Sequence, residues 1–421
     1  MRWEINTPIR SVTAGKPLYA MTGVFDSAPI GLAPAGTPLW HARFDNLAPR
    51  FGAAFQLAPQ TVLRGGFGRY YDLGYGGNIA GAMVYFPYET ANLVFGPIPF
   101  DFTNAAFQAP PFTLVPSSST AYISAVDPNL KVPFTYEWNA AIQRGLGANQ
   151  SISATYVGAH GDNLLRGDVI GSSVGYRILT TRNADWSNYN ALQLQFQRRM
   201  ARGLQTLASY TFAKSTDTNS DDTDGNGLTT SLSAINVAAD LGPSDFDVRH
   251  SFSAAVSWQI PSPHWERLSD GLLRNWQADC IVRISSAAPY RAFIHARPNI
   301  VPGVPFYLPA PGEPGGRTLN PAAFTPAPPG QEGDLPRNFF RGFPIDQTDL
   351  SLRRQFHLTE RTSLFLGAEY FNLFNHPMFA VDEFTGFGPP TQTLNEELGL
   401  LNPLYQIGGP RSGQLTIKVL F

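Results

Sequence analysis

The run Asp217-Thr-Asn-Ser-Asp-Asp-Thr-Asp-Gly-Asn-Gly227 is the densest cluster of candidate ligands in the sequence. Asp217, Asn219, Asp221, Asp222 and Asp224 offer carboxylate and amide oxygens and Gly225 permits a sharp turn, the chemistry that a hard cation such as Ca²⁺ asks of a loop. Aligning Ser220, Asp222, Asp224 and Gly225 with the early positions of an EF-hand puts Ser231 where the bidentate Glu belongs. The run therefore reads better as a solvated loop than as a cation site, and no metal or other cofactor is expected. His250 follows Asp247 and Arg249 at a strand start and would need further ligands from elsewhere, so a capping or hydrogen-bonding role is expected of it. His376 sits in Phe374-Asn-His-Pro-Met378, where the X-Pro bond ends a strand. The sequence has no Gly-x-Ser-x-Gly, His-Glu-x-x-His or Gly-x-x-x-x-Gly-Lys motif, which removes the commonest nucleophile, zinc and nucleotide sites. Paired carboxylates drawn from Glu137, Asp279 and Glu369 could do acid–base work. Each instead falls on the polar side of an alternating segment, where a wet lining needs such groups anyway, so no enzyme is expected.

The elements that position these residues are about ten residues long and alternate with a period of two, which is a strand signature and not a helical one. In 189–199, Leu192, Leu194 and Phe196 oppose Gln193, Gln195 and Gln197. In 250–260, Phe252, Ala254, Val256 and Trp258 oppose Ser251, Ser253, Ser257 and Gln259. In 134–144, Tyr136, Trp138, Ala140 and Ile142 oppose Thr135, Glu137, Asn139 and Gln143. Strands with one apolar and one polar side fit a membrane-spanning β-barrel. Leu192, Leu194, Phe196, Val256 and Trp258 are then expected to face lipid, and Glu137, Asn139, Gln193, Gln195, Gln197, Asp279 and Glu369 to face the lumen.

Composition agrees. Only 15% of the 421 residues are charged, against roughly a quarter in soluble domains, and no run of about 18 apolar residues supplies a transmembrane helix. The formal net charge of -2, without a basic tract, excludes a nucleic-acid partner. Cys280 is the only cysteine, which excludes an internal disulfide framework.

Further strands are expected at 2–5, 50–57, 61–71, 150–159, 204–214, 275–289, 347–356, 361–373 and 411–421, about twelve in all, an even number as such barrels require. Their connections alternate between tight turns and long loops, as in outer-membrane barrels. The long loops, at about 72–133, 160–188, 215–247, 290–345 and 374–410, are expected outside the cell. The chain ends in a strand with Leu415, Ile417, Val419 and Phe421 on one side, resembling the strand by which outer-membrane barrels are recognised by the barrel-assembly machinery.

Several segments resemble the Oar-like TonB-dependent receptors: Asn46-Leu-Ala-Pro-Arg-Phe-Gly52, Thr61-Val-Leu-Arg-Gly-Gly-Phe-Gly-Arg-Tyr-Tyr-Asp72, Ala154-Thr-Tyr-Val-Gly-Ala-His-Gly161, Gly242-Pro-Ser-Asp-Phe-Asp-Val-Arg-His250, Asn320-Pro-Ala-Ala-Phe324 and Glu369-Tyr-Phe-Asn-Leu-Phe-Asn-His-Pro-Met-Phe379. That resemblance implies an all-β, antiparallel outer-membrane barrel of about 22 strands with a plugged lumen. It also implies a plug domain and a TonB-engaging segment, neither of which the sequence contains. Residues 1–421 are thus expected to form a single C-terminal barrel region, open at its edges and not competent alone for energised uptake. MRWEINTPIR lacks the features of a secretory signal. The expected partners are outer-membrane lipid, the assembly machinery, an unidentified extracellular ligand, and TonB only through the missing plug. Two alternatives remain open from the residues alone: an adhesive or structural surface barrel, and a secreted all-β carbohydrate-binding protein or hydrolase.

Overall fold

The structure, a computed structural model, describes residues 2–9, 18–72, 79, 83, 85–88, 122–171, 177–220, 236–261, 275–290, 297–312, 314–328, 331–376, 379–381, 392–394 and 409–421. Its principal strands are β1 (Arg2–Asn6), β2 (Arg43–Ala48), β3 (Arg50–Ala58), β4 (Thr61–Tyr71), β5 (Tyr122–Val126), β6 (Phe134–Gly145), β7 (Gln150–Gly171) and β8 (Arg177–Ala201). They continue with β9 (Leu204–Asp217), β10 (Gly242–Pro243), β11 (His250–Gln259), β12 (Trp276–Ser285), β13 (Ile345–His357), β14 (Ser363–Phe371) and β15 (Ser412–Leu420).

One 13-stranded sheet holds most of them, in the order β15-β14-β13-β12-β11-β9-β8-β7-β6-β4-β3, with β10 added on β9 and β5 on β8. Neighbours along that path are antiparallel and sequential, a meander with short turns at one edge and long connections at the other. Positive φ at Gln60, Arg202 and Gly203 shapes two of the short turns, since tight hairpin connections need left-handed backbone. Among the described residues the end strands β3 and β15 do not pair with each other, so the sheet they form is open.

Three differences from the expected elements have physical causes. Region 160–188, expected as a loop, is largely strand: β7 and β8 stay paired from Gln150↔Arg198 to Gly171↔Arg177. There Ile178, Leu179, Thr180 and Thr181 are all buried in succession. A strand covered on both faces loses the alternation that betrays a half-exposed one. Region 72–133 contains β5, which pairs in parallel with the outer arm of β8, Tyr122↔Arg177 to Val126↔Thr181. Finally, the segment at 2–5 pairs with β2, an unexpected strand that continues into β3 through Pro49. The expected loop 374–410 lies largely outside the described residues.

The outer connections fold against the sheet's long-connection edge around apolar cores of their own. One core gathers Leu39, Trp40, Ile79, Val126, Leu130 and Val132. A second gathers Met21, Phe86, Ile123, Ala125 and Ile178, binding the amino-terminal connection to β5 and β8. A third, in 290–340, packs Tyr290, Leu319, Ala323, Phe324, Leu335 and Phe340, with Phe306 edge-on to Phe340 at 6.0 Å.

Candidate functional site

Residues opposite one another in a ladder share a face, so the register assigns every strand residue to one of two sides. Leu192 pairs with Tyr156, which pairs with Ala140, and on the other side with Phe212, which pairs with His250. The same face collects Phe51, Leu63, Trp138, Leu194, Phe196, Val256 and Trp258, and across the sheet Val282, Leu352, Leu366, Leu415, Ile417 and Val419. These side chains are not packed in a core: Leu192 is 42% exposed and Leu415 83%.

Charge on this face is confined to its two ends. Arg69, Lys214 and Asp346 stand at the long-connection end and Arg144, Arg198 and Arg354 at the short-turn end, with the middle positions uncharged. Asp346 and Arg354 of β13 are eight steps apart, about 27 Å along the strand, comparable with an apolar band roughly 25 Å tall. Aromatic rings accompany both charged borders: the Arg69 guanidinium lies 3.7 Å from the Phe134 ring centre, and that of Arg354 4.0 Å from the Phe356 ring centre. Trp138 lies flat over Gly158 of the next strand, where a Cβ would collide with the indole.

The opposite face carries Glu137, Asn139, Gln193, Gln195, Gln197, Asp279 and Glu369. One polar row crosses four ladders, from Ser257 through Asp279, Ser351 and Glu369 to Gln414. Asp279 accepts from Ser257 and from Gln277 and pairs with Arg353 at 3.0 Å, while Glu369 accepts from Gln414. Two strand spacings, roughly 10 Å, separate Asp279 from Glu369, and Glu137 lies on the distant β6, so the three carboxylates do not form a proton-sharing pair. Against this face lies an open cavity of about 670 Å³, lined by Arg283, Asp349, Arg353, Glu369, Gln414 and Lys418 among others.

Above the long-connection edge the sequence reading missed a buried ionic network. Arg166, fully buried, donates to Asp168 at 2.7 Å, Asp185 at 2.9 Å and Asp240 at 2.5 Å. Arg182 adds 2.8 Å to Asp168, and Arg297 adds 2.5 Å to Asp240. Arg337 joins a second group, donating to Asp217 and, at 2.9 Å, to the backbone carbonyl of Asp240. Arg341 pairs with Asp247 at 2.6 Å, which also takes Arg249 at 3.1 Å and the Ser215 N–H. Burial pulls the Arg166 guanidinium down, but Asp185, Asp240 and Asp168 outweigh that and hold it firmly charged. Burial pushes Asp185 up, more than Arg166 pulls it down.

Asp217 is thus engaged with Arg337 and not free for a cation, and Asn219 also has a partner. Asp221, Asp222 and Asp224 lie outside the described residues. Among the described residues no group of three or more acidic, His or Cys side chains is placed to hold a metal. His250 Nδ1 is 2.7 Å from the Tyr210 hydroxyl, a hydrogen-bonding role. The motif 242–250 supplies Asp245 and Asp247 as network anchors; its alternation of Asp with Phe246 and Val248 was the signal available in sequence.

Comparison with known proteins places this geometry. Residues 1–414 match the family described as outer membrane beta barrel domain. The chain belongs to that family, and it is a protein of the cell outer membrane. No curated protein matches. Among solved structures, the outer membrane transporter YddB from Escherichia coli matches with a TM-score of 0.52 at 14% identity, over 91% of this chain and 41% of that one. A ferric enterobactin receptor variant from Pseudomonas aeruginosa matches with a TM-score of 0.44 at 12% identity, over 89% and 40%. The FrpB iron transporter from Neisseria meningitidis matches with a TM-score of 0.43 at 12% identity, over 90% and 39%. The chain spans about two fifths of the length of these structures. The likeness to YddB shows the fold, an antiparallel sheet of the outer-membrane barrel type.

Proposed function

We propose that this chain is the C-terminal barrel portion of an Oar-like TonB-dependent receptor, whose outer lobes meet a ligand outside the cell and whose polar face lines the path inward. The apolar face, Leu192, Leu194, Phe196, Val256 and Trp258 included, contacts lipid, and Glu137, Asn139, Gln193, Gln195, Gln197, Asp279 and Glu369 face the lumen. The observation that supports this most is the segregation of charge: one face of eleven sequential strands is uncharged over a membrane's thickness. The opposite face is mainly polar, with single apolar residues such as Val157, Leu207 and Ile281 among its polar ones, and carries the cavity.

TonB and a plug enter only through polypeptide other than these residues, so energised uptake belongs to the larger protein. Leu415, Ile417, Val419 and Phe421 are the signature offered to the assembly machinery. The network around Arg166 and Arg337 would hold the outer lobes in one shape, so that a ligand meets a preorganised surface. The test is uptake in cells carrying a receptor extended upstream with a plug, with and without TonB, beside the 421-residue chain given a signal peptide. TonB-dependent uptake by the extended protein alone is expected. Surface binding without uptake by either would favour an adhesive barrel instead.

A further inference from the structure

The two ends of the sheet differ in charge. Four of the connections at its short-turn end, 143–150, 197–205, 259–276 and 353–363, hold nine of the chain's 30 basic residues and three of its 32 acidic ones. The fifth, 57–61, carries no charge. The long-connection end is built differently: Arg166, Arg182, Arg249, Arg297, Arg337 and Arg341 each meet an aspartate there. Among the described residues, Arg144, Arg198, Arg199, Arg202 and Arg361 of the short-turn end pair with no carboxylate, and Glu360, itself exposed, is the single acid of those four connections. Like charges gathered in this way repel unless an anion stands among them, and physiological salt screens that repulsion only beyond about 8 Å.

The place of these arginines shows what anion they suit. Arg144 and Arg198 lie on the apolar face just past its uncharged band, on strands separated only by β7. Arg198 bends over its own turn and donates to the carbonyls of Ala201 at 3.1 Å and Leu204 at 3.3 Å. Arg202, at a φ of 52°, stands at the tip of the same turn. Each of these hairpins also exposes one large apolar side chain beside its arginines. Leu146 is 41% exposed and Met200 42%, and in the β13–β14 hairpin Leu358, near Arg361, is 59%. A soluble polyanion has no use for those three side chains. A lipid leaflet takes the arginines at its phosphates and the apolar tips at its acyl boundary, the combination by which basic amphipathic segments hold anionic membranes. The guanidinium also fits a phosphodiester, to which it donates two parallel hydrogen bonds.

We infer, on the lipid-face assignment proposed above, that the short-turn rim is a docking surface for anionic phospholipid. Arg144, Arg198 and Arg202 hold the headgroup phosphodiesters, and Leu146 and Met200 enter the leaflet beside them. Binding of this kind is independent of transport, so success or failure of TonB-dependent uptake decides nothing about it.

The test titrates the full chain in detergent, separately, with phosphatidylglycerol, phosphatidylcholine, inorganic phosphate and a disaccharide-peptide of peptidoglycan. Bound molecules are counted by mass spectrometry of the intact complex. Phosphatidylglycerol is expected to bind about tenfold or more tightly than phosphatidylcholine at low salt, since each basic side chain at an anionic surface contributes about fivefold. Salt at about 0.5 M should cut that preference several-fold. Arg144→Gln with Arg198→Gln and Arg202→Gln should abolish the preference. Lys131→Gln with Arg317→Gln and Arg411→Gln, which removes three charges from the other end, should leave it intact. Because Arg198 also ties its own turn, Arg144→Gln with Arg202→Gln is measured beside the triple and should still weaken the preference several-fold. Equal binding of the two phospholipids, or an undiminished preference in either rim variant, overturns the inference. So does tighter capture of inorganic phosphate or of the peptidoglycan fragment than of phosphatidylglycerol. Retention of neither phospholipid overturns it together with the lipid-face assignment.

Discussion

A single residue step separates opposite environments in these strands, and substitution should expose the difference. Leu194 and Gln195 are adjacent and both exposed, yet the ladder puts Leu194 among Ala154 and Tyr210 and Gln195 between Ser153 and Ser209. Leu194→Arg should cost about 2 to 4 kcal/mol near the bilayer centre, and Gln195→Arg close to nothing, in urea titrations from lipid vesicles; equal costs would contradict the assigned faces. The buried network offers a second contrast. Asp240→Ala strips a carboxylate from both Arg166 and Arg297 and should cost about 3 to 5 kcal/mol, as uncompensated buried charges do. Asp185→Asn should be mild, because one oxygen of Asp185 has no partner and Arg166 keeps two other carboxylates. Its pH dependence has a definite sign. A carboxyl raised in the folded state contributes stability below its ordinary value of 3.8 and loses it as pH rises through the raised value. The gap in melting temperature between the parent and Asp185→Asn should therefore shift in favour of the variant between pH 4 and pH 7.

At the scale of elements, the strands with one exposed apolar face were legible, and those covered on both faces were not. The alternation in 189–199 and 250–260 marked β8 and β11 because each carries its apolar residues on one face and its polar residues on the other. The outer arms of β7 and β8 carried no such mark, since Arg166, Asp168, Ile178 and Leu179 are all buried on a folded lobe. β5 was invisible for the same reason: five residues, parallel, paired with a strand distant in sequence. Polar contacts were less readable still, because nothing in 160–188 says that Arg166 will meet Asp240 seventy-four residues later. The lobe should be separable from the wall. Ile123, fully buried against Phe86, Met21 and Ile178, places a charge in that core when changed to Asp. Ile123→Asp should open the amino-terminal connection to limited proteolysis while the sheet keeps its heat-modifiable mobility, and loss of both together would show a single cooperative unit.

For the whole molecule, open edges dominate behaviour. Four residues of β3 turn N–H and C=O groups away from β4, and each such group left unsatisfied in hydrocarbon would cost several kcal/mol. The 421-residue chain should require detergent for recovery, show mainly β structure by circular dichroism, and give no stable unitary conductance in planar bilayers. A discrete, long-lived pore would mean that the sheet closes on its own.

The ionic cluster also works as a splice between distant stretches of chain. Arg337 lies 120 residues beyond Asp217, and Arg341 lies 94 beyond Asp247. Asp168, Asp185, Asp240 and Asp247 already meet Arg166, Arg182 or Arg249 from the earlier stretch, so Arg297, Arg337 and Arg341 add the ties that fasten the 290–341 lobe onto it. A chain ending before residue 297 should keep the earlier pairs yet carry outer arms more open to protease than a chain that continues through residue 341.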